Sequence, residues 1–159
     1  MIVSKLTRAM IEYFGELRFV EHALKVYSYA ASIAQLEGIE GDELLTIQCA
    51  AIIHDIGIPN AVKIHGSGKG PFQEKEGALL VPEMAAKAGI PEKLVPKITW
   101  LVGNHHSHEK SHEDILLQIL MEADYLVNMS ESPDRYKPSE IKDFFETKTG
   151  KEYLGFLFF

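Results

Sequence analysis

The chain has 159 residues, 46% hydrophobic and 25% charged, with 16 basic against 23 acidic side chains and a net charge of −7. That length and composition suit one folded domain and exclude a disordered chain. The acidic balance argues against duplex nucleic acid or an anionic membrane as partner, because such surfaces are bound through basic patches, while leaving room for a local pocket that takes one small anion.

The single cysteine, Cys49, lies in the apolar run Ile47 to Ile53 and reads as a core residue with no disulfide partner. The first ten residues lack the apolar stretch of a signal peptide, and no window approaches the roughly 18 uninterrupted apolar residues of a membrane span. A cytoplasmic location follows as the expectation.

Apolar residues recur at helical spacing nearly throughout, and no strand-like alternation persists. The expected fold is all-α, a compact single-domain bundle of six to seven helices. The first runs from Ser4 to Phe14 and the second from Arg18 to Glu37, ended by Gly38. A third opens at Gly41-Asp42, with Asp42 as N-cap, and runs to Ile56, stopped by Gly57 and Pro59. Residues 58–72, rich in glycine, read as a long functional loop. A fourth helix covers Gln73 to Ala88, bent near Pro82, and a fifth runs from Pro91 to His105. After a polar turn, His106 to Ser111, a sixth extends from His112 to Met129. A last helix, Ser139 to Thr147, leads into the apolar tail Tyr153 to Phe159, expected to fold back on the bundle or to make a homodimer contact.

Four polar residues interrupt apolar helix faces. His54 shares a face with Ala51 and Ile47, and Asp55 is flanked by Ile53 and Ile56 with no basic residue within four positions. His22 lies a turn from Phe19 and Val26, and Asp124 sits on a stripe with Leu117, Leu120, Met121 and Val127. Each alone is compatible with a hydrogen-bonded core residue. Together they place two imidazoles and two carboxylates inside a core, which is costly unless a partner compensates them. A divalent cation is such a partner, and helices converging on one are a known construction.

His22, then His54-Asp55-Ile56-Gly57, then Asp124 resembles the ordered His … His-Asp … Asp signature of the HD-domain phosphohydrolase superfamily, over residues 18–129. The resemblance implies that His22, His54, Asp55 and Asp124 are metal ligands and that Asp55 also contacts the attacking water. His105 and His106 resemble the additional histidines of two-metal members. Those members carry another histidine before a Gly-Ala pair; here Gly77-Ala78 is preceded by Gln73, Glu74, Lys75 and Glu76, and Glu76 is a substitute ligand. One or two ions (Mn, Fe, Co, Ni, Zn or Mg) stay open. His108 and His112 read as a solvated turn.

The expected activity is hydrolysis of a small phosphate mono- or diester, such as a nucleotide. The cation would lower the pKa of a water from 15.7 towards about 7 for attack on phosphorus. Protonated His105 or His106 would assist the leaving group if no second metal binds. Arg18, Lys63 and Lys69 are candidates for holding the substrate phosphate. Gly66-Ser67-Gly68-Lys69-Gly70 fails as a phosphate-loop motif, since Gly70 stands where a Ser or Thr is required. Two alternatives belong to other classes: a diiron oxygenase on the same scaffold, and a non-catalytic sensor or binding domain.

Overall fold

The computed structural model describes residues 1–159, and its secondary structure is helical with no strand. The helices form where apolar residues recur on one face. α1 (Ile2–Phe14) buries Leu6, Ala9, Met10 and Phe14, and α2 (Leu17–Leu36) buries Ala23, Val26, Ala30 and Ile33. α3 (Gly41–Ile53) is apolar nearly all round, as a central helix must be, and Cys49 to Ile53 are fully buried. α2 and α6 (Val95–Asn104) pack against α3, α8 (Ile115–Glu131) packs against α2, and α5 (Gly70–Ala88) lies between α1 and α6. Their buried apolar side chains form one contiguous cluster. No single helix is long and apolar enough to cross a membrane.

The structure has ten α-helices rather than six or seven. The main correction concerns residues 58–72, expected as a loop. They contain α4 (Ile58–His65), which leaves α3 at a bend of 45°. Pro59 does not stop this helix, because a proline in the first turn gives up only an N–H that has no helical partner there. Gly66, at φ 70°, ends it in the left-handed region that favours glycine. A further short helix, α7 (His108–Ser111), forms within the expected polar turn. At the start of α3 the capping position is Glu40, not Asp42, whose carboxylate instead meets Lys93 Nζ at 2.7 Å. α8 begins after Asp114, three residues later than expected. The Asp114 carboxylate accepts the Leu117 N–H at 3.1 Å and satisfies one free donor of the first turn.

The C-terminal segment also differs. α9 (Pro138–Ile141) is a single turn, and residues 148–158, read as a tail, form α10 (Lys148–Phe158). One face of α10 docks on the bundle: Leu154 is buried, the Tyr153 hydroxyl bonds to Ser32 Oγ at 2.5 Å, and Glu37 accepts the Thr149 N–H at 2.7 Å. Phe156 and Phe159 stay exposed.

Gly57 sets the position of the site. A Cβ there would lie 2.1 Å from the Gln73 carbonyl oxygen and 2.3 Å from the Gly77 nitrogen. A Cβ on Gly77 would in turn meet Val102 at 2.9 Å. The two glycines let the turn after α3, the start of α5 and α6 approach one another at backbone distance. That contact brings Gln73 beside the His54-Asp55 pair.

Candidate metal centre

α3 ends at Ile53 and His54 caps it, so the ring stands on the buried face while the chain turns away, and Asp55 follows in that turn. α2 contributes His22 and α8 contributes Asp124. The four side chains, expected from three separate helices, come together. His22 Nε2 lies 3.1 Å from Asp124 Oδ1 and 3.4 Å from Asp55 Oδ2. His54 Nε2 lies 3.3 Å from Asp55 Oδ2 and 3.5 Å from Asp124 Oδ1. Donor atoms about 2.1 Å from a common cation are separated by about 3.0 Å in an octahedron and about 3.4 Å in a tetrahedron. The observed spacings fall at the edges of such a polyhedron.

The imidazoles are turned by their other nitrogens. His54 Nδ1 meets the Ala51 carbonyl at 2.8 Å, His105 Nδ1 the Val102 carbonyl at 2.7 Å, and His22 Nδ1 the Glu131 carboxylate at 3.0 Å. Each of these partners is an acceptor, so each Nδ1 is the donor; in the neutral rings of His54 and His105 the Nε2 lone pair is then aimed inward, whereas His22 Nε2 meets a second acceptor, Asp124 Oδ1. The Nε2 atoms of His54 and His105 are buried and have no hydrogen-bond partner. A buried lone pair without a donor is rare and calls for a Lewis acid or a proton.

Electrostatics point the same way. Burial would raise the pKa of Asp55, but His54 and His105 hold it well below the usual carboxylate range; burial opposes, and His22 and His54 overcome, the same lowering at Asp124. Burial pushes the His54 pKa down, yet the charges and hydrogen bonds of Asp55 and Asp124 carry it well above 6.5; at His22, too, burial is outweighed, chiefly by the bond to Asp124. Two buried carboxylates thus demand positive charge, supplied by imidazolium protons or by a cation.

A second group adjoins the first. Asp55 turns its other oxygen, Oδ1, to His105 Nε2 at 3.3 Å, and the His106 ring lies 4.1 Å from that of His105. His22, His54 and Asp124 form one set of ligand atoms close enough to share a cation, and Asp55, His105 and His106 form another. Glu76, expected as a substitute ligand, is not in either. It lies about 100° round the helix from Gly77 and its carboxylate meets His65 Nε2 at 2.9 Å. The residue on the right face is Gln73, four before Gly77, whose Nε2 lies 2.7 Å from His106 Nε2 and whose Oε1 is buried without a partner.

His106 is exposed at the mouth of the cleft. The surrounding walls, and then His105, lower its pKa; solvent screens part of that shift, but any lowering from 6.5 leaves the ring neutral at pH 7.

A cleft of about 370 Å³ opens above Asp55 and Asp124, and Lys69 lines it. The other two expected phosphate binders do not. Arg18 has 76% of its side chain exposed and pairs with Glu16 at 3.3 Å, and Lys63 is exposed on the last turn of α4. Three residues that the sequence did not single out do line the cleft: Asn128, Arg135 and Tyr136. A narrower lobe of about 120 Å³ continues past Tyr136 to His105 and His108. His108 bonds to the Tyr125 hydroxyl at 2.5 Å, and His112 pairs with Glu146 on the surface.

No curated protein and no solved structure matches the chain. The family model of the HD domain matches residues 19–129, a span that includes His22, His54, Asp55, His105, His106 and Asp124. Domains of this family bind divalent metals, as the donor set assembled here would. The chain belongs to the HD-domain superfamily of metal-dependent phosphohydrolases.

Proposed function

We propose that the protein hydrolyses a small phosphate ester, such as a nucleotide, at this centre. The observation that carries the reading is the pair of buried Nε2 lone pairs on His54 and His105, unpartnered and facing the carboxylates at the base of an open cleft. His22, His54, Asp55 and Asp124 would hold one divalent cation, and Asp55, His105 and His106 offer a place for a second. A bound divalent ion supplies an acidified water and a Lewis acid for a phosphoryl oxygen.

The protein's own groups do the rest. The Ala51 and Val102 carbonyls fix the tautomers of His54 and His105, so their lone pairs need no reorganisation. Asp55, with one oxygen towards each group, would contact the attacking water. His106 stands neutral at the mouth, able to accept or donate a hydrogen bond by tautomer.

The test is a panel of phosphate monoesters and diesters with Mn, Co, Ni, Mg and Fe, run on the wild type and Asp55→Ala. Hydrolysis that needs an added metal and falls at least about 1000-fold in the variant is expected. Equal activity in the two proteins would remove Asp55 from the mechanism.

A further inference from the structure

The cleft mouth carries charge of the opposite sign to its floor. Several basic side chains of this acidic protein are answered by an acid, as Lys87 is by Glu83 and Lys93 by Asp42. Lys69 and Arg135 make no ion pair, and both line the 370 Å³ cavity above Asp55 and Asp124. They arrive from unconnected segments. Lys69 precedes α5, and Arg135 lies in the turn between α8 and α9.

That turn is fixed. The Ser132 carbonyl accepts the N–H groups of Arg135 and Tyr136 at 3.1 and 3.0 Å, and the Ser132 N–H donates to Asn128 O at 2.8 Å. The Tyr136 ring meets Tyr125 edge-on at 6.2 Å, and the Arg135 guanidinium carbon lies 5.3 Å from the Tyr136 centroid. The Tyr136 hydroxyl has no partner within the protein. Its pKa is raised, by burial first and against the effect of Arg135, with Asp124 and Asp55 adding to the rise, so the phenol stays a hydrogen-bond donor at pH 7.

The floor of the same cavity supplies one more unsatisfied group. α5 starts here at Gly70, and Gln73, one turn in, is only 7% exposed and has its Oε1 unpartnered. Turned over, the same amide accepts a hydrogen bond from His106 Nε2–H and carries its NH₂ where the unpartnered Oε1 now lies. Two unpaired cations, a phenol O–H, an amide and a helix start then face one space.

We infer that Lys69 and Arg135, helped by Gln73 and Tyr136, read the phosphate of a monoester dianion, an inference that rests on the hydrolytic reading above. Two fixed positive charges match a monoester, which carries about two negative charges at pH 7, better than a diester, which carries one. A guanidinium can take two phosphate oxygens in parallel, and the ammonium takes a third as a point charge. The cavity is near the lower end of small-molecule sites, about 300–1,000 Å³, and so suits a mononucleotide-sized ester rather than a polymer.

The experiment is calorimetric titration of inorganic phosphate into the Mn-loaded full chain, with elemental analysis of every variant. Arg135→Gln and Lys69→Gln should each weaken phosphate about tenfold with Mn content unchanged. Arg135→Lys should recover only part of the loss, and Lys87→Gln should behave as wild type. In hydrolysis, Arg135→Gln should raise KM for a monoester and narrow the preference for it over bis(p-nitrophenyl) phosphate. Phosphate affinity within twofold of wild type in both neutral variants overturns the inference, as does a wild type that prefers diesters. The two proposals fail separately. Phosphate binding that depends on Arg135 and Lys69 without any hydrolysis sinks the activity and keeps the binding edge. Hydrolysis insensitive to both residues does the reverse.

Discussion

Glu122 and Asp124 are two buried carboxylates on one helix, 0% and 8% exposed, and their surroundings are opposites. Residues two apart on a helix point about 200° away from each other, so the pair serves two sides of α8. Glu122 is fully answered: its Oε1 accepts from Gln118 Nε2 at 2.9 Å and from the N–H groups of Glu146 and Thr147 at 2.7 and 3.0 Å, and its Oε2 accepts the Thr147 hydroxyl. Asp124 has no backbone donor and faces only imidazole nitrogens, His22 Nε2 at 3.1 Å and His54 Nε2 at 3.5 Å from its Oδ1. A carboxylate closed off by N–H and O–H donors is a structural latch. One left to imidazole nitrogens alone is half of a coordination shell. Burial alone does not separate the two roles; the chemistry of the partner does.

The largest effect that tests this contrast is Asp124→Asn. The variant keeps the shape and removes the charge. Mn affinity should fall by more than about 100-fold and hydrolysis should disappear, and the metal-free protein should melt below the wild-type temperature, because His22 and His54 lose the carboxylate that offsets their charge. Mn titration and thermal melts in EDTA measure both. If the Asp124→Asn variant binds Mn as the wild type does, Asp124 is a second latch.

Glu122→Ala should do the converse. It strands buried donors and loosens the segment that leads into α10, so stability should drop by about 3 kcal/mol. Urea unfolding reads that loss, and the folded variant should keep its Mn stoichiometry. Gly150 belongs to the same latch, since a Cβ there would lie 2.0 Å from Glu122 Oε2.

The same contrast shows what can be read from the sequence. His22, His54, Asp55 and Asp124 are legible because each breaks an apolar helical face, and the order of the four then matches a family. Glu122 lies in the same apolar run and is equally anomalous, but its donors come from residues 146 and 147, which carry no local signal of that role. Gln73 is within reach of sequence reasoning: it shares a helix face with Gly77, and Glu76 does not. α4 escapes it because glycine and proline read as a stop where proline in fact fits a first turn. Arg135 and Tyr136 sit in a Ser/Pro break, and only the pinned turn after α8 brings them to the cleft.

The last effect is a pH dependence centred on the Asp124 side of α8. In the metal-free protein the raised pKa values of His22 and His54 stabilise the fold below about pH 6.5, and that contribution is lost as pH rises through the folded-state values. The lowered pKa values of Asp55 and Asp124 act at the other end: they stabilise above about pH 4 and fade as pH falls further. A cation must displace the histidine protons, so its apparent binding strengthens by up to about 1.4 kcal/mol per pH unit for each proton released, until those rings are neutral. The rise in Tm caused by a fixed Mn concentration should therefore grow from pH 6 to pH 8. The penalty of Glu122→Ala rests on N–H and O–H donors that do not titrate in this range and should stay level. A Mn-induced rise in Tm that is flat across pH 6–8 would mean that the ion does not displace protons from His22 and His54, and the distinction between latch and coordination shell would lose its electrostatic basis.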